Sequence, residues 1–281
     1  MSLTLNNNLT SKDLILFQQE HAQIILSKIE KKTFSPIKFY PVKVLNEDYK
    51  EDPELLSVIY AVRGKVKDDM NLFENALKDF KKSIQFYDQS IILKPKSNFL
   101  FFNRAYVKYD CGEFEESLQD VNQALKLKFK DNEKEDKLSA LSLRADLYRV
   151  CGFYKQALED YDAVIKEDPN FPYIFSKRGI VHAVLGNLNQ ALSDTKKGIT
   201  ETHLSLLGRH AVVLALLKDQ TGAKQHLSKL NPVPPEQLHY FLFFQGWVNL
   251  ISSNYDEAIK NFTQLLNLQL AYSQYYLGIF F

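Results

Sequence analysis

Pairs of small residues recur along this chain at one fixed spacing. Six times a glycine or alanine is followed, twelve positions later, by an alanine or serine: Gly64/Ala76, Ala105/Ser117, Ala145/Ala157, Gly179/Ala191, Ala211/Ala223 and Gly246/Ala258. Sixteen positions after each first member stands a second, mostly larger residue: Phe80, Val121, Tyr161, Thr195, Leu227 and Phe262. Recurring offsets of this kind are typical of repeat architectures. Because small residues let two helices cross closely and larger ones fill the space beside the crossing, the spacing predicts a stack of helical hairpins.

The clearest unit spans residues 138–171. Its motif residues are, in order, a small residue, an aromatic, a turn glycine, an aromatic, an alanine, an aromatic and a proline: Ala145, Tyr148, Gly152, Tyr154, Ala157, Tyr161 and Pro169. This unit closely resembles a tetratricopeptide repeat. The second and fourth units also match, whereas the first, fifth and sixth match less completely, and the fifth lacks the turn glycine. The tandem resemblance implies an all-α fold, a right-handed α-solenoid of tetratricopeptide-like hairpins.

Two domains are expected. Residues 57–281 form the repeat domain, with full units and one partial unit near 57–90, 98–131, 138–171, 172–203, 204–237, 239–270 and 271–281. Residues 1–56 hold an N-terminal helix and an extended segment in which Pro36 and Pro41 disfavour helix. The partial unit ends on apolar residues, Ile279 to Phe281, whereas terminal repeats normally present a polar face. Either the natural protein is longer, or a partner or a second copy covers this end, so self-association is one alternative.

Composition and charge argue against several classes of function. The 35 basic and 34 acidic residues give a net charge of +1, so no basic footprint for nucleic acid is expected. The longest apolar stretch, residues 240–251, is interrupted by Gln245 and Asn249 and is shorter than the roughly 20 residues of a membrane span. The polar, uncharged start does not resemble a signal peptide, and 2 cysteines form no disulfide framework. These features favour a cytoplasmic protein with reduced cysteines.

Arginine and aspartate recur together with the repeats. Sixteen positions separate the members of four pairs: Arg63/Asp79, Arg104/Asp120, Arg144/Asp160 and Arg178/Asp194. Each arginine directly precedes the small residue of its first helix, and each aspartate directly precedes the packing residue of its second helix. This placement predicts an ion pair inside each hairpin, which fixes the register of its two helices. The fifth and sixth units carry neutral polar residues instead: His210/His226 and Gln245/Asn261.

Signatures of catalysis and of cofactor binding are missing from the sequence. It contains no phosphate-binding glycine-rich loop, no nucleophile elbow and no zinc-protease helix motif. His210 and His226 could supply two metal ligands, but zinc takes three or four, and no cysteine or carboxylate spacing nearby completes a site. The chain is therefore expected to be no enzyme and to carry no cofactor or metal.

The resemblance also implies where a partner would bind. In tetratricopeptide repeat proteins the inner faces of the first helices commonly line a concave groove that holds a peptide. The residues expected on this face are Phe99, Phe102, Asn103, Tyr106, Tyr109, Asp146, Arg149, Tyr173, Lys177, Phe243, Phe244 and Trp247. Aromatic residues are enriched at interface hot spots. The implied function is a scaffold or adaptor that binds a peptide or protein.

Two alternatives stay open. Chaperone-binding members of the family hold a carboxylate tail in a clamp of basic and amide side chains. Asn103 matches the amide of that clamp, but the other four positions depart from it: Ala61, Lys65, Ser139 and Leu143. A co-chaperone that binds such tails is therefore disfavoured. In the second alternative, the extended apolar segment 34–45 occupies the groove of its own chain, which would make the protein self-masked or purely structural.

Overall fold

The computed structural model describes residues 52–69, 73–127, 129–130, 133–171, 173–199, 204–229, 233 and 238–268. The expected N-terminal helix, the segment 34–45 and the partial unit 271–281 lie outside these residues. The described part holds 12 α-helices and no strand, which confirms the all-α prediction. In chain order the helices are α1 (Pro53–Asp69), α2 (Phe73–Leu93), α3 (Asn98–Asp110), α4 (Phe114–Lys126), α5 (Lys134–Val150), α6 (Tyr154–Glu167), α7 (Ile174–Val184), α8 (Leu188–Gly198), α9 (Leu204–Leu216), α10 (Gln220–Ser228), α11 (Leu238–Ile251) and α12 (Tyr255–Asn267).

Consecutive helices pack in pairs and form the predicted hairpins. α1 packs against α2, α3 against α4, and the series continues to α11 against α12. First helices of neighbouring hairpins, such as α9 and α11, also contact each other, whereas the second helices chiefly contact the first helix of the next hairpin. The first helices are therefore the more closely spaced, inner layer of an α-solenoid, and the second helices are its outer layer.

The small-residue crossings lie inside the hairpins, as the spacing predicts. A methyl group added to Gly64 would come within 2.6 Å of the ring of Phe80, and one added to Gly246 would come equally close to Phe262. Ala145, at the equivalent position of the third hairpin, is fully buried. The larger residue sixteen positions later thus occupies the space that a side chain on the first helix would need.

The turns between first and second helices differ along the chain. In the second, third and fourth hairpins a glycine holds a left-handed backbone, with φ of 78°, 81° and 77° at Gly112, Gly152 and Gly186. The fifth and sixth hairpins have the same conformation without glycine, since φ is 66° at Lys218 and 61° at Ser253. A left-handed conformation costs a residue with a side chain about 1–2 kcal/mol. The last two turns are therefore strained where the middle three are not.

All four predicted arginine–aspartate pairs are present. In each pair the guanidinium Nε and Nη2 donate to the two carboxylate oxygens over 2.6–2.8 Å. Two of the arginines also form ion pairs with the preceding hairpin, where Arg104 contacts Asp88 and Arg178 contacts Asp162, both at 2.6 Å. These two aspartates lie sixteen positions before their arginines. The pairs therefore join neighbouring hairpins as well as the two helices of one hairpin.

The fifth and sixth hairpins replace these ion pairs by contacts between neutral polar groups. The ring centroids of His210 and His226 lie 4.8 Å apart. Thr195 Oγ1 lies 2.9 Å from Nδ1 of His210, which ties the fifth hairpin to the fourth. In the sixth hairpin Asn261 Nδ2 donates to Gln245 Oε1 over 3.2 Å. The positions that carry charge earlier in the chain stay polar here but become neutral.

Three further sequence features can be compared with the described residues. No helix among them is both long enough and apolar enough to cross a bilayer. Within the same ranges, no three histidine, cysteine, aspartate or glutamate side chains come together as a group that could hold a metal ion. Cys111 and Cys151 are free thiols.

Candidate functional site

The predicted groove residues lie at different depths in the structure. Tyr173, which directly precedes α7, is 42% exposed. Four others are partly buried: Phe99, Tyr106, Lys177 and Trp247. The remaining seven are buried: Phe102, Asn103, Tyr109, Asp146, Arg149, Phe243 and Phe244. The set therefore contains residues that pack between helices as well as residues with surface open to a ligand.

The buried aromatics of α3 join the second hairpin to the third. Phe102 and Tyr109 lie in one apolar cluster with Leu143 and Leu147 of α5. Tyr106 packs its ring edge-on to Phe102, with 5.8 Å between the centroids, and keeps part of its surface exposed. The ring of Tyr106 is thus held in place by a buried neighbour, while part of its surface stays exposed.

The buried aromatics of α11 join the sixth hairpin to the fifth. Phe243 and Phe244 share an apolar cluster with Val212 and Ala215 of α9. The approach is so close at Gly208 that a methyl group there would overlap the ring of Phe244. These phenylalanines therefore hold two repeats together.

A group of polar side chains lies between the third, fourth and fifth hairpins; we call it the central charged cluster. Its members are Ser142, Asp146, Arg149, Tyr161, Lys177 and Arg209, the last of which lies within electrostatic reach of Asp146 and Arg149. Asp146 accepts hydrogen bonds from the Tyr161 hydroxyl at 2.6 Å and from Lys177 Nζ at 2.5 Å. Lys177 Nζ also lies 3.1 Å from Ser142 Oγ, and Arg149 lies 4.0 Å from the Asp146 carboxylate. Five of the six members come from the first helices α5, α7 and α9, so the cluster belongs to the inner layer.

The charges of the cluster shift the pKa values of its members. Burial raises the pKa of Asp146, but the nearby Lys177 and Arg149 outweigh this effect, and the net result is a lowered pKa. Burial raises the pKa of Tyr161, and the negative charge of Asp146 raises it further. Asp146 is therefore held as a carboxylate and Tyr161 as a neutral hydroxyl donor.

The pattern of groove residues taken from the sequence did not include Arg209. This residue stands two positions before Ala211, as Lys177 stands two positions before Gly179, so the repeat register could have identified it. Its Nε is buried and finds no hydrogen-bond partner within the described part of the chain. Burial lowers the pKa of Arg209, and the positive charge of Arg149 lowers it further. Arg209 is the member of the cluster with the least compensated charge.

His239 of the sixth hairpin lies within electrostatic reach of charges on the first hairpin. Burial lowers the pKa of this histidine to about 4, and the charges of Asp68 and Lys65 on α1 also act on it. His239 is the second residue of α11, so the beginning of α11 lies within electrostatic reach of the end of α1.

Comparison with known proteins finds partial matches at the level of sequence. No family model matches the chain. Rat serine/threonine-protein phosphatase 5 is 32% identical over 95 residues, which are 33% of this chain and 17% of that protein. Human tetratricopeptide repeat protein 13 is 24% identical over 184 residues, which are 61% of this chain and 21% of that protein. The chain thus matches only about a fifth of the length of these curated relatives.

Solved structures match over most of the chain. A tetratricopeptide repeat protein from Parabacteroides merdae ATCC 43184 has a TM-score of 0.61 at 15% identity and covers 95% of this chain and 98% of its own. The Rap conjugation gene regulator of the plasmid pLS20, in complex with the Phr* peptide, has a TM-score of 0.63 at 14% identity, with 95% and 76% covered. At these identities the likeness concerns the fold. The motif residues, the paired helices and these neighbours agree that the chain has the tetratricopeptide repeat fold.

Proposed function

We propose that this protein is a non-catalytic scaffold that binds a peptide or an extended protein segment along the inner layer of its first helices. The observation that carries the proposal is the central charged cluster, which brings Asp146, Lys177 and Arg209 together from three successive hairpins. Two further features support it: the aromatics with exposed surface at predicted groove positions, and a structural neighbour that was solved in complex with a peptide.

The cluster is not needed to form the hairpins. Each of the first four hairpins already has its own arginine–aspartate pair at the helix crossing. Removing charges from water is costly, so buried ionic groups are weak contributors to stability. A few well-placed polar groups in a largely apolar groove are instead typical of binding sites, where they set orientation and specificity. We therefore assign the cluster to recognition.

Aromatic residues at the predicted groove positions also suit a role in recognition. Tyr106 and Trp247 are partly buried, and Tyr173 is exposed. Tyrosine and tryptophan bury a large area for little loss of rotamer entropy, and they often carry most of the binding free energy of an interface. Tyr173 also adopts a left-handed backbone with φ of 60°, which is unfavourable for a bulky residue. Such outliers concentrate at functional sites.

Selection of peptides from a random phage-displayed library, with the full chain as bait, tests the proposal. The dissociation constants of the selected peptides are then compared for the wild type, for Tyr106→Ala on the inner layer, and for Tyr255→Ala on the outer layer. Tyr255 is the matched control because it is a tyrosine that is 60% exposed at the start of α12.

We expect Tyr106→Ala to weaken binding about tenfold, which corresponds to roughly 1.4 kcal/mol, while Tyr255→Ala has no effect. Circular dichroism confirms that both variants are folded. If no peptide is selected, or if both variants weaken binding equally, the inner layer is not the binding surface.

A further inference from the structure

The outer layer of the fourth and fifth hairpins carries several lysines, which we call the outer lysine patch. Four exposed residues make up the patch, and they lie in or directly after α8 and α10: Lys196, Lys197, Lys224 and Lys229. None of them forms an ion pair within the part of the chain that the structure describes. A lysine in the last turn of a helix offsets the helix dipole, but this role does not account for Lys224, in the middle of α10.

Carboxylates do not balance these lysines. The aspartate of α8, Asp194, is 3% exposed and already binds Nε and Nη2 of Arg178, and α10 contains no carboxylate at all. Asp219, which directly precedes α10, is exposed, but it accepts the amide of Gly222 and stands next to Lys218 in the chain. The other outer helices, α2, α4, α6 and α12, each have an exposed glutamate. The outer surface of the fourth and fifth hairpins is therefore basic, whereas the rest of the outer layer is mixed.

The lysines of the two hairpins meet around one pair of histidines. Burial lowers the pKa of His210, and the charges of His226 and Lys196 lower it further. Burial and the charge of Lys229 lower the pKa of His226, although Asp219 has the opposite effect. The centroids of the two histidine rings lie 4.8 Å apart. Lys196 from α8 and Lys229 beside α10 thus flank the same pair, so the patch is continuous between the two hairpins.

The side chains of the patch indicate which kind of anion it fits. Arginine forms the planar fork that binds phosphate in a bidentate way, whereas lysine is a hydrated point charge on a flexible stem, and neither α8 nor α10 contains arginine. Helices that bind membranes insert large apolar side chains, and no large hydrophobic residue of α8 or α10 is exposed. Complementary charge on two protein surfaces steers their association. These features favour an acidic protein segment over nucleic acid or a lipid surface.

We propose that the outer lysine patch docks a segment rich in aspartate and glutamate from a partner protein. The patch lies on second helices and is separate from the inner layer, so this inference does not rest on the proposed function. A chain with both surfaces would hold a peptide on its inner layer and an acidic partner on its outer layer.

Fluorescence anisotropy of labelled octaglutamate, titrated with the full chain at an ionic strength of about 0.15 M, tests the proposal. Octaglutamine, single-stranded octathymidylate and phosphatidylserine vesicles are the comparison ligands. The double variant Lys196→Gln/Lys229→Gln removes two charges from the patch. Lys78→Gln/Lys81→Gln is the matched control, because it removes two exposed lysines from the outer helix α2.

We expect octaglutamate to bind and octaglutamine not to bind. The patch variant should weaken the binding of octaglutamate about tenfold, and the α2 variant should leave it unchanged. Equal losses in both variants would mean that only the overall charge matters, and the proposal would be wrong. It would also be wrong if octathymidylate or the vesicles bind the patch at least as tightly as octaglutamate does.

Tyr106→Ala separates this inference from the proposed function. Because Tyr106 belongs to the inner layer, this variant should bind octaglutamate as tightly as the wild type. If Tyr106→Ala weakens the binding of octaglutamate and the patch variant does not, the acidic peptide lies in the groove. The inference would then be wrong, while the proposed function would stand.

A second measurement needs no ligand. A nearby cation disfavours the charged form of an imidazole, so Lys196→Gln should raise the pKa of His210 and Lys229→Gln should raise that of His226. Nuclear magnetic resonance titration of the histidine ring protons measures both values. If neither pKa changes, the two lysines do not meet at the histidine pair, and the patch is not one continuous surface. This result would also overturn the inference.

Discussion

The first four hairpins and the last two build the same helix crossing with different chemistry. The first four have an arginine–aspartate pair at the crossing, and the second to fourth also have a glycine in the turn. The last two have neutral polar contacts at the crossing and non-glycine residues in left-handed turns. The small residue of the first helix is common to all six. Close packing is therefore the shared requirement, and the charges are replaceable.

In the last two hairpins, apolar packing between α9 and α11 takes the place of the ion pairs. α9 and α11 are rich in apolar residues over most of their length. Phe243 and Phe244 of α11 pack on Val212 and Ala215 of α9 in a buried cluster. Burial of apolar area contributes roughly 25 cal/mol per Å² without the desolvation cost of an ion pair. Apolar packing thus stabilises the helix crossing in the last two hairpins, whereas packing together with ion pairs stabilises it in the first four.

The largest expected effect is the loss of an ion pair from the first region. Asp160→Ala leaves the Arg144 guanidinium without its bidentate partner, at a site where the aspartate side chain is 10% exposed. We expect a loss of about 3 kcal/mol in the free energy of unfolding. Asp162→Ala is the control, because Asp162 also pairs with an arginine but is 61% exposed, and it should cost less than about 1 kcal/mol. Urea denaturation measures both, and equal losses would contradict the assignment.

A second prediction concerns the packing contact of the other region. Gly208→Ala adds a methyl group that overlaps the ring of Phe244, which is 2% exposed and cannot move away. Overpacking of this kind costs about 1–3 kcal/mol, and we expect about 2. Gly198→Ala is the comparison, since its methyl group would meet Ser176 Cβ at 3.0 Å and needs only a small adjustment. If thermal unfolding shows the same loss for both variants, the contact with Phe244 is not the cause.

The third prediction is a contribution of the last two hairpins to the pH dependence of stability. Burial, followed by the charges of His226 and Lys196, lowers the pKa of His210 to about 4. Because the unfolded value is about 6.5, the unfolded chain takes up this proton first as the pH falls. The contribution is therefore full above pH 6.5 and is lost between pH 6.5 and about 4, by on the order of 1–2 kcal/mol. His210→Gln should reduce the slope of the stability profile in that range without abolishing it, because the pKa of His239 is also lowered to about 4. An unchanged slope would contradict the prediction.

The smallest expected effects lie in the turns. Gly152→Ala should cost about 1 kcal/mol, because the backbone strain at φ 81° is only partly offset by the stiffer unfolded chain, and no atom lies within 4 Å of the added methyl group. Lys218→Gly relieves the strain at φ 66° but makes the unfolded chain more flexible, so we expect a change of only a few tenths of a kcal/mol. Thermal unfolding of both variants decides the point. A large gain for Lys218→Gly would show that turn strain is a main weakness of the last two repeats.

Much of the architecture could be predicted from the sequence because the same residue spacing recurs in several repeats. The offsets of twelve and sixteen residues predicted the crossings at Gly64 and Gly246, and the pairing of Arg144 with Asp160 followed from the same register. The contacts from Arg104 to Asp88 and from Arg178 to Asp162 were missed, although they have the same spacing in the other direction. Local spacing is thus informative within a hairpin and, if read both ways, between hairpins.

The candidate site was less accessible to sequence reasoning. The sequence placed Asp146, Arg149 and Lys177 on the inner face, but it could not show that Tyr161 and Arg209 converge on the same place. Burial was equally hidden: Phe102 and Phe244 have the motif position of groove residues and yet are 4% and 2% exposed. The burial of a groove residue depends on how closely neighbouring repeats pack. The distance between repeats is set by contacts between residues far apart in the chain.

By itself, the sequence determined that the chain builds helical hairpins and which residues meet inside the hairpins that the structure describes. These properties depend on helix periodicity and on partners twelve to sixteen positions apart, so the same pattern can be read in each repeat separately. The tertiary structure decided which side chains are enclosed and which charges lack a partner. Arg209 shows the difference, because among the described residues its buried Nε has no acceptor, and this depends on the packing of α5, α7 and α9 together and on no local spacing.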